Sequence, residues 1–384
     1  MLWLVAVLWI GVWLGLTPDP SRWLVRPGRL SNGSELVSIL VSARNEESRV
    51  LRSSITSMLR QDYPNLEVVA VDDRSTDRTL EILRSIPGLT AIQGVQPPHG
   101  WVGKPHGLLQ AMAVARGEWL LITDADILFH PAAVATALEL CRERHLDVLS
   151  LWPRVECETF WEKVIMPLDL AVTAILFPLE RVNGTRHRDA FTIGGFTLMR
   201  RQAFESIGGF AAIRAEVADD FALGILFKKA GFRIHMGFSP ELLTTRDYSG
   251  FAQIWEGLTR KLFSNFIYIP IVRAFRQRFR AVDEWRGRHR RMFRAGMGIA
   301  AGLAAVLSLT ITTLPVLWLP GKAATLCYAI NCWIHRQYAR MLGVPARYSL
   351  LAPLGYALYV AILVVAAWRV LSGRGLTWRG RRIY

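Results

Sequence analysis

The chain is poor in cysteine and contains no internal repeat and no low-complexity linker. Its four cysteines, Cys141, Cys157, Cys327 and Cys332, lack the spacing of a zinc site. A reducing compartment suits such a chain, because the fold needs no disulfide bonds. A stripe of basic and aromatic residues that could follow a phosphate backbone is also missing, which argues against a nucleic-acid partner.

A cleavable secretory leader is missing as well. Residues 1–17 are apolar and uncharged, but they carry neither a basic leader nor a small-residue cleavage site. We predict an uncleaved transmembrane anchor over 1–17, near the lower length limit for a span. A second transmembrane region is expected over 296–371, where two long apolar runs, 296–319 and 350–370, have spanning length. Whether the mixed segment 323–334 also crosses the bilayer stays open.

The net charge of +15 is concentrated beside these apolar runs. The segment 273–294 contributes +7 and the segment 369–384 contributes +5. Basic clusters next to spans follow the positive-inside rule and attract anionic lipid headgroups. We therefore interpret 266–295 as a basic juxtamembrane segment and 372–384 as a basic tail. Arg22, Arg26 and Arg29 follow the first apolar run in the same way, so the intervening domain is expected to face the cytoplasm.

Two apolar runs in that domain end in paired acids. Residues 66–73 read Leu-Glu-Val-Val-Ala-Val-Asp-Asp, and residues 118–126 read Glu-Trp-Leu-Leu-Ile-Thr-Asp-Ala-Asp. An earlier run, 36–42, leads through a polar turn into an amphipathic segment that ends near Leu59. Alternation of strand, turn and helix predicts a parallel sheet. Ligands bind beyond the carboxyl ends of such strands, so acids at these ends indicate a binding site.

Asp72 and Asp73, at the end of the second run, have two interpretations. One of them accepts a hydrogen bond from a nucleobase or ribose, as acids after strands do in nucleotide-binding folds. Alternatively the segment is only a strand-to-helix turn in which Ser75 or Thr76 caps the next helix.

The two later acid pairs also leave alternatives open. Asp124 and Asp126 can bridge Mg²⁺ or Mn²⁺ to substrate phosphates, because hard cations take oxygen ligands, or they can cap a helix that begins near Pro131. Asp219 and Asp220 open an amphipathic run, where acids suit a helix amino terminus without any chemistry. In combination with the other acids, this pair offers a carboxylate that takes a proton from an acceptor hydroxyl.

These segments resemble the inverting family 2 glycosyltransferases of the GT-A fold. The matching segments cover roughly residues 36–265 and are Val41-Ser-Ala-Arg-Asn-Glu-Glu47, Gln61-Asp-Tyr-Pro64, Val71-Asp-Asp-Arg-Ser-Thr-Asp77, Thr123-Asp-Ala-Asp126, Gly194-Gly195, Ile207-Gly-Gly-Phe210 and Ala218-Asp-Asp220. Within the family, the chain is most similar to bacterial membrane-bound hopene-associated glycosyltransferases and more distantly to ceramide glucosyltransferases. The segments that carry this narrower resemblance include Gly100-Trp-Val-Gly-Lys104 and Gly373-Arg-Gly-Leu-Thr-Trp-Arg-Gly380.

The resemblance implies roles for individual residues. On the donor side it implies a nucleotide-sugar, taken as a UDP-sugar, held by Ala43, Glu46, Asp72 or Asp73, Lys104 and Asp124, with Mg²⁺ or Mn²⁺ on Asp124 and Asp126. On the acceptor side it implies Gly194, Gly195 and Asp219, with Asp220 as the catalytic base. The family's acidic pair usually has Glu first, so Asp219 keeps the charge but shortens the reach.

The chain departs from the pattern of many membrane relatives after residue 253. Gln253-Ile-Trp-Glu-Gly-Leu-Thr-Arg-Lys261 is not followed by the Arg-Trp pair that those relatives carry. Arg260 is therefore either a ligand of the donor diphosphate or a juxtamembrane arginine. The missing pair also weakens the case for processive polymer synthesis.

The largely apolar segment 158–181 predicts either an interfacial helix beside the membrane or an ordinary core helix. We expect, in sum, an α/β GT-A domain over 35–265 with a mixed, mainly parallel sheet flanked by helices, and transmembrane helices at both ends. The expected function is transfer of a sugar to a hopanoid or another isoprenoid or sphingoid lipid, on the cytoplasmic face of a bacterial inner membrane. Polysaccharide synthesis and a non-catalytic membrane scaffold are the alternatives.

Overall fold

The structure is a computed structural model that describes residues 20–28, 33–47, 50–185, 187, 190–216, 218–266, 321–372, 377–378 and 381–382. The predicted anchor 1–17, the apolar run 296–319 and nearly all of the basic segments lie outside the described residues. Those expectations therefore stay predictions.

Twelve strands are formed by the described residues. In chain order they are β1 Val37–Ala43, β2 Leu66–Asp72, β3 Thr90–Gln93, β4 Trp119–Asp124, β5 Ile127–Phe129, β6 Val148–Trp152, β7 Arg154–Val155, β8 Thr197–Arg200, β9 Ile234–Phe238, β10 Leu243–Thr245, β11 Thr377–Trp378 and β12 Arg381–Arg382.

The same residues form twelve α-helices and two 3₁₀ helices. The α-helices are α1 Leu51–Leu59, α2 Thr79–Arg84, α3 Gly103–Val114, α4 Ala133–Glu143, α5 Phe160–Leu176, α6 Leu179–Asn183, α7 Arg201–Ser206, α8 Gly209–Ala212, α9 Asp219–Lys229, α10 Phe251–Phe266, α11 Gly321–Met341 and α12 Ala352–Leu371. The 3₁₀ helices are Pro20–Trp23 and Ala346–Leu351.

The chain divides into two compact units. The sheet unit contains Ser21–Glu156 and Leu179–Asp247, and the helical unit contains Met1–Pro20, Cys157–Pro178 and Tyr248–Tyr384. We describe each unit by itself.

A seven-stranded sheet in the order β3-β2-β1-β4-β8-β6-β9 organises the sheet unit. All of its neighbouring strands run parallel except β8, which is antiparallel to both β4 and β6. A smaller sheet has the order β5-β10-β7. The expected mixed, mainly parallel sheet is confirmed.

The central strands are mostly apolar because both of their faces are covered. Ile39 and Leu40 point to opposite faces of β1, and both side chains are fully buried. Helix α1 buries Leu51, Ile55 and Met58 in the same core cluster as Ile39. Packing on both faces fixes the strands and leaves their carboxyl ends free to carry polar side chains.

Segment 158–181, for which a core helix and an interfacial helix were both predicted, contains α5 of the helical unit. A capping box begins it, in which Thr159 and Glu162 exchange hydrogen bonds with each other's main-chain N–H groups. Most of its side chains are buried, among them Val164, Ile165 and Leu168. This burial favours the core-helix interpretation of the segment, and a position beside the membrane stays a prediction.

Among the described residues, one helical stretch, Ala346–Arg369, is long and apolar enough to cross a membrane. It corresponds to the predicted apolar run 350–370 and contains α12 up to Arg369. The mixed segment 323–334 lies within α11, which does not meet the same criterion.

Candidate active site

Three neighbouring strands, β1, β2 and β4, end side by side at one edge of the seven-stranded sheet. Ala43 pairs with Asp72 across β1 and β2, and Ser42 pairs with Asp124 across β1 and β4. The side chains after these strands therefore share one edge, where open α/β sheets bind their ligands.

Hydrogen bonds join the turns that follow β1 and β2. The main-chain N–H of Asn45 donates to Ser75 Oγ at 2.9 Å, and Asn45 Oδ1 accepts from the main-chain N–H of Thr76 at 2.9 Å. Arg44 Nη1 donates to the main-chain oxygen of Asp73 at 2.6 Å. These cross-links hold the two turns in one fixed arrangement. Arg44 and Asn45 lie in a quoted motif, but nothing in the sequence indicated that their partners are some 30 residues away.

Asp72 and Asp73 have different partners. Both carboxylate oxygens of Asp72 accept the main-chain N–H of Ser75, at 3.3 and 3.2 Å, so this side chain stabilises its own turn. Asp73 Oδ1 forms an ion pair with Arg74 at 2.7 Å.

The capping interpretation of this turn is wrong. Helix α2 begins at Thr79, and neither Ser75 nor Thr76 caps it. Asp77 Oδ1 accepts the main-chain N–H of Thr79 at 3.0 Å instead.

Ala43 and Glu46 are both buried. The main-chain oxygen of Ala43 accepts the N–H of Asp73 at 2.7 Å, and the N–H of Glu46 donates to Thr79 Oγ1 at 2.8 Å. In the structure, both residues thus help to fix the turns beside Asp73.

Lys104, in the first turn of α3, connects the later acid pairs. Its Nζ lies 2.7 Å from Asp124 Oδ1, at the end of β4, and 3.8 Å from Asp219 Oδ2, in the first turn of α9. One ammonium group therefore brings together carboxylates that are 95 residues apart in the sequence. The Lys104 side chain is 29% exposed and the Asp124 side chain is 41% exposed, so this ion pair is partly in contact with solvent.

Burial and like charge act on the acid pair of α9. Burial and then the neighbouring Asp219 carboxylate raise the pKa of Asp220 to about 6, although Lys104 and the main-chain N–H of Phe221 lower it. Burial raises the pKa of Asp219 as well, against the effect of Lys104. Burial by itself lowers the pKa of Lys104, but Asp124, Asp219 and Asp220 outweigh it and raise that pKa well above its usual value. Lys104 thus stays charged while Asp220 titrates nearer neutrality than an ordinary aspartate.

Asp124 and Asp126 flank the buried Ala125 in the turn from β4 to β5. Helix α4 begins at Ala133 with Ala132 before it, so the interpretation of these acids as helix caps is wrong. Within the described ranges, no group of three or more His, Cys, Asp or Glu side chains is arranged to hold a metal ion. A pair of carboxylates fits Mg²⁺ or Mn²⁺ where waters or substrate phosphates complete the coordination, which is how Mg²⁺ is usually held.

The Gly194–Gly195 loop lies against the Lys104–Asp124 ion pair. A Cβ atom added to Gly194 would lie 3.0 Å from both Asp124 Oδ2 and Lys104 Nζ. The main-chain oxygen of Gly195 accepts the hydroxyl of Thr123 at 2.7 Å, which ties the loop to the end of β4. Glycine at position 194 thus permits the close approach of this loop.

Sequence reasoning missed Thr192. Its hydroxyl donates to the main-chain oxygen of Asp220 at 2.8 Å, and Thr192 is fully buried. A contact between residues 28 positions apart leaves no local pattern in one sequence. Arg260 lies on α10, in the helical unit.

The chain is similar to known glycosyltransferases in sequence and in fold. Residues 38–208 match the family model described as Glycosyl transferase family 2. The chain is 26% identical over 271 residues to the 4,4'-diaponeurosporenoate glycosyltransferase of Staphylococcus aureus (strain USA300), an alignment that covers 68% of this chain and 71% of that protein.

A solved structure shares the fold. The mannosyltransferase PcManGT from Pyrobaculum calidifontis, in complex with GDP-Man and Mn²⁺, superposes with a TM-score of 0.57 at 20% identity and covers 97% of this chain and 100% of its own. The narrower resemblance to hopene-associated and ceramide glycosyltransferases stays a prediction. Residues 38–208 are thus similar to glycosyltransferase family 2, and the fold is GT-A-like.

Proposed function

We propose that this protein is a membrane-bound inverting glycosyltransferase that moves a sugar from a nucleotide-sugar donor to a lipid acceptor. The observation that carries the proposal is the position of Lys104 between Asp124 and Asp219. It brings the acid at the end of β4 and the acid pair of α9 within reach of one side chain. The turns after β1 and β2 end at the same edge of the sheet.

The donor nucleoside, which we take to be uridine, is assigned to the turns after β1 and β2. Asp73 and Glu46 lie there on a backbone that the turn hydrogen bonds hold in place. Lys104 is assigned to the donor diphosphate. A preformed site of this kind lowers the entropic cost of holding the donor for reaction.

A divalent cation, Mg²⁺ or Mn²⁺, is assigned to Asp124 and Asp126, where it would neutralise charge that develops on the leaving diphosphate. The donor set fits such an ion because two carboxylates and the phosphates of the substrate together supply oxygen ligands.

Asp220 is assigned as the general base. It accepts the proton of the acceptor hydroxyl while that oxygen attacks the anomeric carbon from the face opposite the diphosphate. One displacement of this kind inverts the anomeric configuration and needs no covalent sugar–enzyme intermediate. A base with a pKa near 6 is mostly ionised at neutral pH and still holds a proton better than an ordinary aspartate.

Arg260 keeps its two interpretations in this proposal. It is either a ligand of the donor diphosphate or a juxtamembrane arginine of α10. Replacing it with Gln and measuring nucleotide affinity separates the two, because only a diphosphate ligand weakens binding when its charge is removed.

The lipid acceptor is supported by the surface of α12. Leu354, Val364 and Trp368 form an exposed apolar stripe along this helix, whereas the polar Tyr356 and Tyr359 are buried. An outward apolar face with polar groups turned inward suits a helix in contact with lipid. The Staphylococcus aureus relative is named for a carotenoid acid, which is a long apolar acceptor. We therefore propose a hopanoid or another isoprenoid or sphingoid lipid as the acceptor and the cytoplasmic face of a bacterial inner membrane as the location.

A transfer assay with full-length protein in lipid nanodiscs tests the proposal. The donors are radiolabelled UDP- and GDP-sugars, and the acceptors are isoprenoid alcohols, isoprenoid carboxylic acids, ceramide and a soluble oligosaccharide. We expect label in the lipid fraction, its loss with excess EDTA, and its return with Mg²⁺ or Mn²⁺. Label only in polymer would support polysaccharide synthesis, and binding of no nucleotide at all would support a scaffold.

Comparing two classes of acceptor also tests the assignment of Asp220 as the general base. A carboxylic acid is already ionised at neutral pH and has no proton to give, so Asp220→Asn should slow transfer to alcohols far more than transfer to acids. Equal slowing for both classes would argue against the proposed role of Asp220.

A further inference from the structure

Lys104 forms its closest ion pair with a carboxylate that is also assigned to the divalent cation. Its ammonium group lies 2.7 Å from Asp124 Oδ1, well within the distance of a charge-assisted hydrogen bond. A carboxylate oxygen that is paired in this way binds a second cation less strongly, because the two positive charges repel each other at short range.

The acids around Lys104 require a counter-charge. The carboxylates of Asp124, Asp219 and Asp220 all interact with its ammonium group. Asp124 and Asp219 also repel each other. Lys104 therefore supplies, from within the protein, the positive charge that allows these carboxylates to lie together.

We propose that Lys104 is a built-in counter-cation that competes with the divalent ion for Asp124 and moves to the donor diphosphate when the nucleotide binds. This proposal rests on the donor site described under Proposed function. Its consequence is positive coupling: the nucleotide draws the ammonium group away from Asp124, and the oxygen that it leaves binds the metal more tightly. By linkage, the metal strengthens nucleotide binding by the same factor.

The surroundings of Lys104 are compatible with such an exchange. A lysine carries a point charge on a flexible four-carbon stem, so its ammonium group can pivot between neighbouring anions. The side chain is 29% exposed, and its contact with Asp219 is the longer one, at 3.8 Å. On another side, Gly194 leaves a space that a Cβ atom would fill at 3.0 Å from Nζ.

A lysine that only binds phosphate would behave differently. Its removal would weaken nucleotide binding and leave the affinity of the nucleotide-free protein for metal unchanged. A competing counter-cation predicts a different result for metal affinity in the nucleotide-free protein. Replacing it with a neutral side chain of similar length should strengthen metal binding there.

The test is titration of full-length, detergent-solubilised protein with Mn²⁺, followed by electron paramagnetic resonance of the free ion, without nucleotide and with saturating UDP or GDP. The proteins are wild type, Lys104→Met, Lys104→Arg, Asp124→Asn and, as a matched control, Lys229→Met, which removes an exposed lysine of α9. Thermal unfolding confirms that each variant is folded.

For Lys104→Met without nucleotide, we expect Mn²⁺ affinity to rise by roughly tenfold, a typical size for coupling between sites. The gain in Mn²⁺ affinity that nucleotide gives the wild type should be smaller in this variant by about the same factor, and the gain that remains comes from the phosphate ligands. Lys104→Arg should keep most of the coupling, Asp124→Asn should lose the Mn²⁺ site in both states, and Lys229→Met should match the wild type.

Equal Mn²⁺ affinity of wild type and Lys104→Met without nucleotide would overturn the proposal. So would wild-type affinity that does not change when UDP or GDP is added. Neither result bears on the proposed function, which fails if the transfer assay finds no label in the lipid fraction. The titration needs no turnover, so the two failures can be told apart.

Discussion

Thr192 holds the backbone of Asp220 with two hydrogen bonds. The threonine hydroxyl donates to the main-chain oxygen of Asp220 at 2.8 Å, and the threonine N–H donates to the same oxygen at 3.3 Å. The first turn of α9, which carries the proposed base, is thereby attached to the loop that leads to Gly194. Through these bonds to the backbone of Asp220, Thr192 helps to determine the position of the Asp220 carboxylate.

Thr192→Val tests this positioning role. Valine has nearly the same shape but no hydroxyl, so we expect kcat to fall roughly fivefold, as for the loss of about 1 kcal/mol of hydrogen bonding. The KM for the donor should not change, since the turns after β1 and β2 are untouched. Thr192→Ser keeps the hydroxyl and should restore kcat. If the Val and Ser variants turn over at the same rate, the hydrogen bond has no part in positioning Asp220.

The pH profile of transfer should report the titration of Asp220. Burial and Asp219 raise the pKa of this carboxyl from 3.8 to about 6, and only the ionised form accepts a proton. The kcat/KM for an alcohol acceptor should therefore fall as pH decreases through about 6. Initial rates between about pH 5 and pH 8 with a hydroxyl acceptor give the profile. A rate that stays constant down to pH 5 would contradict the assignment.

Gly194→Ala should impair the site by steric contact. The added methyl group would lie 3.0 Å from both Asp124 Oδ2 and Lys104 Nζ, so the loop or the ion pair must shift. We expect kcat/KM to fall by roughly tenfold or more, since small displacements at a reacting centre are costly. Gly250→Ala is the matched control, because nothing lies within 4 Å of its added Cβ. Equal kcat/KM for both variants would show that the Gly194 loop is not part of the site.

The helical unit contains a buried ion pair that can be tested through stability. Asp169, whose side chain is 3% exposed, lies 2.7 Å from Lys261 Nζ and accepts the hydroxyl of Tyr359 at 3.2 Å. Lys261→Met leaves a buried carboxylate without its cation, so we expect a loss of about 3–5 kcal/mol in the free energy of unfolding.

Removing both charges gives the matched control for that pair. Asp169→Leu combined with Lys261→Met should recover much of the stability, because no uncompensated charge remains. Unfolding by denaturant in detergent measures both variants. A double variant that is no more stable than Lys261→Met would show that the uncompensated carboxylate of Asp169 is not the cause of the lost stability.

The sheet and its functional edge could be predicted from sequence because their signals are local. Largely apolar runs identified β1, β2 and β4 as buried strands, and the acids at the ends of β2 and β4 marked the edge. The amphipathic run from Asp219 to Lys229 has the same bounds as α9. These features depend on hydrophobic periodicity, which a single sequence carries.

The contacts that assemble the site could not be predicted, because they join residues that are distant in sequence. Nothing in the local pattern indicated that Lys104 lies between Asp124 and Asp219. The capping assignments failed for a related reason. Serine and threonine before a helix favour capping on average, but Asp77 lies nearer the start of α2 and accepts its first N–H.

The central claim is that Asp220 is the base of a sugar transfer whose donor binds at the edge formed by β1, β2 and β4. The most direct measurement compares wild type, Asp220→Asn and Asp62→Asn, an exposed acid distant from the proposed roles, for both transfer to a lipid alcohol and binding of UDP or GDP. We predict that Asp220→Asn loses transfer by at least about a hundredfold, as for the loss of a general base, while nucleotide affinity stays near that of wild type and Asp62→Asn is unaffected. Transfer by Asp220→Asn at the wild-type rate would contradict the account.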